Sequence, residues 1–98
     1  MIDDIYGSDN EALRSLGFKF QQRIGNRLTY FLENSNLQVY VYIDYDTKAY
    51  TAQIAKDFVV EAVIKPATTL GELINNIVEG NTRDYWWVDP DYGRKFIW

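Results

Sequence analysis

Apolar and polar residues alternate with a period of two through much of the chain. The cleanest run is Leu37, Val39, Val41, Ile43 and Tyr45, with Gln38, Tyr40, Tyr42 and Asp44 between them. Such alternation marks a strand with one face buried. Upstream, Phe18, Phe20 and Ile24 share one face, and Lys19, Gln21 and Arg23 the other. Leu28, Tyr30 and Leu32 then alternate with Thr29, Phe31 and Glu33. Downstream, a strand over 48–55 turns Tyr50, Ala52 and Ile54 inward. A further strand over 58–64 turns Phe58, Val60, Ala62 and Ile64 inward. Gly25-Asn26, Asn34-Ser35-Asn36 and Asp46-Thr47 carry turn chemistry between these runs. The pattern predicts an antiparallel meander of four to five strands joined by short hairpins.

Register follows from keeping the apolar rows together, because a slip of one residue turns every side chain to the other face. A two-residue loop at Gly25-Asn26 would set Ile24 against Arg27. A three-residue loop pairs Ile24 with Leu28 and Phe20 with Leu32, and this register is the one predicted. Continuing it pairs Leu32 with Leu37 and Ile43 with Tyr50. The outward rows then read Gln21–Phe31–Gln38, Arg23–Thr29–Tyr40–Gln53 and Arg27–Tyr42–Thr51.

Two segments switch to helical spacing. Ser8 followed by Glu11 fits a capping box, and Ala12, Leu13 and Leu16 form a short apolar stripe ending at Gly17. This predicts a short helix at about 9–16. After Pro66, Thr69 and Glu72 form a second capping box. Leu70, Leu73, Ile74, Ile77 and Val78 then follow i, i+3, i+4, i+7, i+8 up to Gly80. This predicts an amphipathic helix at about 70–79, packed across the apolar sheet face. The last segment, with Tyr85, Trp86, Trp87, Tyr92, Phe96 and Trp98, reads as a C-terminal hairpin or tail. Adjacent Trp86 and Trp87 on a strand point to opposite faces. One then enters the core, and the other is covered by this chain or by a second copy in a homodimer.

Ninety-eight residues, 47% hydrophobic and 24% charged, make one α+β domain over 1–98 and exclude intrinsic disorder. The chain has no Cys and no His, which removes disulfides, thiol nucleophiles, imidazole acid–base chemistry and the usual zinc sites. The three serines, Ser8, Ser15 and Ser35, have no base to activate them. Asp44/Asp46 and Asp89/Asp91 bracket turns, where Asp bonds the local backbone. No catalytic residue, metal ligand or cofactor is therefore expected. No stretch reaches the roughly 20 apolar residues that span a bilayer, and Met1-Ile2-Asp3-Asp4 is acidic where a signal peptide is basic. A cytoplasmic location without membrane contact is expected.

Fourteen acids against ten bases give a net charge of −4, which disfavours a generic nucleic-acid binder. The surface chemistry left over is aromatic and acidic. Tyr40 and Tyr42 on the outward sheet face, with Asp44, Asp46, Asp84, Trp86, Trp87, Asp89, Asp91 and Tyr92, are the candidate partner-binding residues; Glu61 is a further acid. Tyr and Trp suit interface anchors, and carboxylates can compete for a basic nucleic-acid channel. The competing readings are a weak single-strand binder that stacks bases on Tyr40 and Tyr42 beside Arg23 and Arg27, and a self-associating structural protein whose tail pairs between copies.

Leu16-Gly17-Phe18, the Tyr-rich meander, and the run from Thr68 to Gly80 give the chain a recognisable layout. It resembles small orphan α+β proteins of bacteriophages and mobile elements of Gram-positive bacteria, anti-CRISPR-type host inhibitors among them. The resemblance implies stoichiometric binding to a protein of a bacterial host, in its cytoplasm. It carries over no functional residue.

Overall fold

A computed structural model describes the backbone of residues 2–85 and the side chains of residues 8–81. Helix α1 (Ile2–Ser15) leads into five strands: β1 (Lys19–Ile24), β2 (Arg27–Asn34), β3 (Leu37–Asp44), β4 (Ala49–Lys56) and β5 (Val59–Ile64). Helix α2 (Leu70–Glu79) follows, and β6 (Thr82–Tyr85) returns to the sheet. The sheet runs in sequence order, β1 to β6, and every neighbouring pair is antiparallel. This is the expected α+β meander, with one more strand added after α2.

Both helices lie on one face. Leu13 of α1 and Leu70, Leu73 and Ile77 of α2 share a core with Leu28, Tyr30, Val39, Val41, Ile43, Tyr50, Ala52, Ile54 and Ile64. The inward residues of β3 and β4 are those the alternation predicts, and Ile43 does stand opposite Tyr50. Each helix ends in the same local device. Gly17 (φ 98°) lets its N–H reach Arg14 O at 3.0 Å and the Phe18 N–H reach Leu13 O at 3.0 Å. Gly80 (φ 71°) does likewise, with Gly80 N–H to Ile77 O at 3.2 Å and Asn81 N–H to Asn76 O at 2.9 Å. These pairs of bonds satisfy carbonyls that a helix end otherwise leaves open. At the start of α2, Thr69 Oγ1 accepts from the Glu72 N–H at 3.2 Å, as the capping box requires.

Several expectations are corrected. Helix α1 begins at Ile2, not near residue 9, so Ser8 lies inside it rather than capping it. Ile2, Ile5, Asp9 and Leu13 continue the three-to-four spacing upstream of the apparent cap. The β1–β2 connection is the two-residue Gly25-Asn26 turn, with Ile24 opposite Arg27. The mismatch that spoke against this turn is absorbed by a bulge at Gln21, beyond which Phe20 stands opposite Tyr30. The two rings meet edge-on at 5.6 Å, while Ile24, on the turn side of the bulge, is 67% exposed. Leu32 faces Val39 rather than Leu37, which preserves the face but not the partner. Finally, Phe58 is not inward. It sits in the two-residue Asp57-Phe58 turn, with Lys56 opposite Val59, and a second bulge at Glu61 shifts the phase of β5, so that Val60 stands opposite Ala55 of the outer rows rather than inward.

Among the described residues, no helix is long and apolar enough to cross a membrane.

Candidate functional site: the outer face of the sheet

The inner face is closed by both helices, and no described element covers the other. Its cross-strand rows are Glu33–Gln38–Ala55, Phe31–Tyr40–Gln53, Thr29–Tyr42–Thr51 and Arg27–Asp44–Ala49. Each row spans β2, β3 and β4, and successive rows lie about 7 Å apart along the strands. Tyr40 pairs with Gln53 and Tyr42 with Thr51, as predicted. Thr29 and Arg27 move one row along β3, to Tyr42 and Asp44, because the two-residue Ser35-Asn36 turn sets Asn34 opposite Leu37. Arg23 leaves this face altogether, since the bulge at Gln21 puts it opposite the inward Leu28 and leaves Gln22 in the Thr29 row.

The rings are half-buried. Phe31 and Tyr40 stack at 5.1 Å with a 42° tilt. Tyr42 donates its hydroxyl to Gln53 Oε1 at 3.4 Å. Burial, and to a lesser degree the neighbouring Tyr40, pushes the Tyr42 phenol up from its usual pKa, so it stays a neutral donor. Beside Tyr42 lies a groove of about 400 Å³, lined by Gln22, Thr29, Thr51, Arg27 and Asp44 among others. The face offers aromatic area, amides and hydroxyls with little net charge.

The charged candidates have local occupations. Asp44 Oδ1 accepts from the backbone N–H groups of Asp46 (3.0 Å) and Thr47 (3.3 Å), and Oδ2 pairs with Arg27 Nε at 3.8 Å. Asp46 Oδ1 accepts from Asn26 Nδ2 at 2.8 Å, tying the β1–β2 turn to the β3–β4 turn. Arg23 Nε donates to Gly25 O at 2.9 Å. Asp44 and Asp46 thus hold turns together, and Arg23 and Arg27 are engaged within the chain. Glu61 sits at the β5 bulge, and its Oε2 has no hydrogen-bond partner among the described residues. Asp84 belongs to β6, opposite Val63. Trp86, Trp87, Asp89, Asp91 and Tyr92, with the proposed hairpin and dimer contact, lie outside the described residues. Among the described residues, no three His, Cys, Asp or Glu side chains come together as a metal-binding set.

Two clusters escape the sequence reading. The first is a polar latch under the inner face. Asp9 Oδ2 accepts the hydroxyls of Tyr45 and Tyr50, each at 2.6 Å, and Asn10 Oδ1 accepts that of Tyr30 at 2.9 Å. Burial comes first, then the bond to Asp9, in pushing the Tyr50 phenol up to about 12 and Tyr45 higher still. This part-buried latch fixes α1 to the sheet. The second cluster is at the end of the outer face. Gln38 is fully buried; its Oε1 accepts the Phe58 N–H at 2.8 Å, and its Nε2 donates to Glu33 Oε2 at 3.3 Å. Next to it, the Asp57 N–H donates to Asn36 O at 2.7 Å. Both turn residues have positive φ, 51° at Asp57 and 66° at Phe58. For residues other than glycine that conformation costs roughly 1–2 kcal/mol each. The one local signal was Asp57, a residue that tolerates left-handed turns.

Comparison with protein-family models, with curated proteins and with solved structures finds no match to this chain.

Proposed function

We propose that this chain is a protein-binding module that acts by stoichiometric association rather than turnover, with the outer face of the sheet as its docking surface. The observation that carries this reading is the asymmetry of the sheet. Two helices close one face, while Phe31, Tyr40 and Tyr42 stand on the other with no described element over them. Tyrosine and its aromatic neighbours supply large contact area with few rotatable bonds, and such residues dominate interface energetics.

The partner fits the class that the resemblance to phage-type inhibitors implies: a protein of a bacterial host, a nucleic-acid-handling one such as a CRISPR effector being one candidate. The single-strand nucleic-acid reading loses support. Arg27 is paired with Asp44, Arg23 is bonded to its own turn, and the net charge is −4. The acidic route to a basic partner also narrows, since Asp44 and Asp46 are used in turns.

The test is affinity capture from a bacterial lysate with the wild-type chain and with the double variant Tyr40→Ser/Tyr42→Ser. A protein retained by the wild type alone, and binding it one to one after purification, supports the reading. Retention of the same protein by both chains, or of nucleic acid in its place, contradicts it.

A further inference from the structure

We infer that the β4–β5 turn is a preformed anchor that seats Phe58 and Val59 in an apolar pocket of a protein partner, a pocket with a basic rim. The inference rests on the protein-binding reading above and adds to it the contact point and the chemistry of the partner.

A two-residue hairpin turn with both φ values positive is best served by Asn-Gly or Asp-Gly. Here the second position holds Phe58, a bulky aromatic in the conformation it least favours. The fold sustains it with two bonds from the neighbouring chain, Asp57 N–H to Asn36 O and Phe58 N–H to the buried Gln38 Oε1. Gln38 thereby finds an acceptor role in a place where an apolar side chain would pack without one. What the fold receives in return is not burial: Phe58 and Val59 are each 66% exposed. Strain held by specific bonds, with an apolar pair displayed at the tip, is the arrangement of a site that binds rather than one that stabilises.

Charge around the tip selects the occupant. Glu33 and Asp57 are exposed beside it, with Lys56 at the end of β4 opposite Val59. Two copies meeting tip to tip would bring Asp57 and Glu33 against themselves. An anionic lipid surface would meet the same acids. A protein pocket rimmed by Lys or Arg meets complementary charge. The tip also adjoins the Glu33–Gln38–Ala55 row, so one partner can cover it and the aromatic rows together.

The variant that isolates the anchor is Phe58→Gly, which relieves the turn while removing the ring. The probe is a random 16-residue peptide library displayed on yeast and selected on the full-length chain. Enriched peptides are expected to join aromatic or aliphatic residues to Lys or Arg. They are expected to lose at least tenfold in affinity against Phe58→Gly and against Val59→Ser. The Phe58→Gly chain is expected to melt at the same or a higher temperature than the wild type, which separates lost binding from lost folding. Failure of any peptide to enrich, or binding unchanged by both variants, overturns the inference. So does a wild-type dimer in sedimentation that Phe58→Gly dissociates, or flotation with phosphatidylcholine–phosphatidylglycerol vesicles that Phe58→Gly abolishes. Peptides weakened by Tyr40→Ser/Tyr42→Ser but not by Phe58→Gly overturn the anchor and leave the docking face. Peptides weakened by Phe58→Gly alone support the anchor and count against the face.

Discussion

Tyr50 donates its hydroxyl to Asp9 Oδ2 at 2.6 Å, joining residues 41 positions apart. The same oxygen accepts from Tyr45 at 2.6 Å, and the two rings meet edge-on at 6.2 Å. One carboxylate therefore fastens α1 to β4 and to the β3–β4 connection. Removing it strands two phenols, one of them buried. A buried donor without its acceptor costs about 1–3 kcal/mol, and the half-buried Tyr45 can recover part of that from water. Asp9→Ala should lower the unfolding free energy by about 2–4 kcal/mol in urea titration. Asp9→Asn, which retains a carbonyl acceptor, should cost less than Asp9→Ala.

The latch also sets an alkaline limit. Both phenols must keep their protons to donate, and the folded chain holds the Tyr50 proton up to about pH 12 and the Tyr45 proton higher. An unfolded tyrosine releases its proton near pH 10. Below pH 10 both states are protonated and this contribution is fully present. Between pH 10 and 12 the unfolded state binds fewer protons, so stability falls as pH rises, by up to about 1.4 kcal/mol per unit for each such group. Denaturant titrations should show little tyrosine-linked change from pH 8 to 9.5 and a decline above 10. The Tyr50→Phe variant should decline less steeply.

Two glycines should respond in opposite directions. Gly17 closes α1 at φ 98°, and a Cβ there would lie 3.3 Å from Leu32 Cδ1. Gly17→Ala should cost about 1–2 kcal/mol from the backbone conformation and the close approach together. Gly71 lies in the first turn of α2, where a Cβ meets nothing within 4 Å. Gly71→Ala should stabilise by about 0.5–1 kcal/mol. Thermal melts of the two single variants check both signs.

What the sequence made legible was local. The spacing from Leu70 to Val78, with Thr69 at one end and Gly80 at the other, defines α2, and all three signals agree. Alternation in β3 was unbroken, so Tyr40 and Tyr42 were assigned to the outer face correctly and Ile43 to its partner Tyr50. The errors arose where a distant strand settled a local choice. The bulges at Gln21 and Glu61 reset the phase inside β1 and β5, and counting by twos runs straight through them. Phe58 was assigned inward for that reason. Gln38 looked like one more outward polar residue, and nothing nearby in sequence reveals that it accepts a bond from a turn 20 positions away. Ser8 and Glu11 imitate a helix start because Asp9 and Asn10 are reserved for tyrosines 20 to 41 positions downstream.

The docking face is tested most directly by hydroxyl-radical footprinting of side chains, with the chain free and then bound to the protein it captures. Phe31, Tyr40, Tyr42 and Phe58 should react in the free chain and lose reactivity in the complex. Tyr30 and Tyr50, closed under the helices, should react weakly in both. Protection confined to the exposed helix residues Glu11, Arg14, Glu72 and Asn75, with Tyr40 and Tyr42 as reactive as before, would contradict the account.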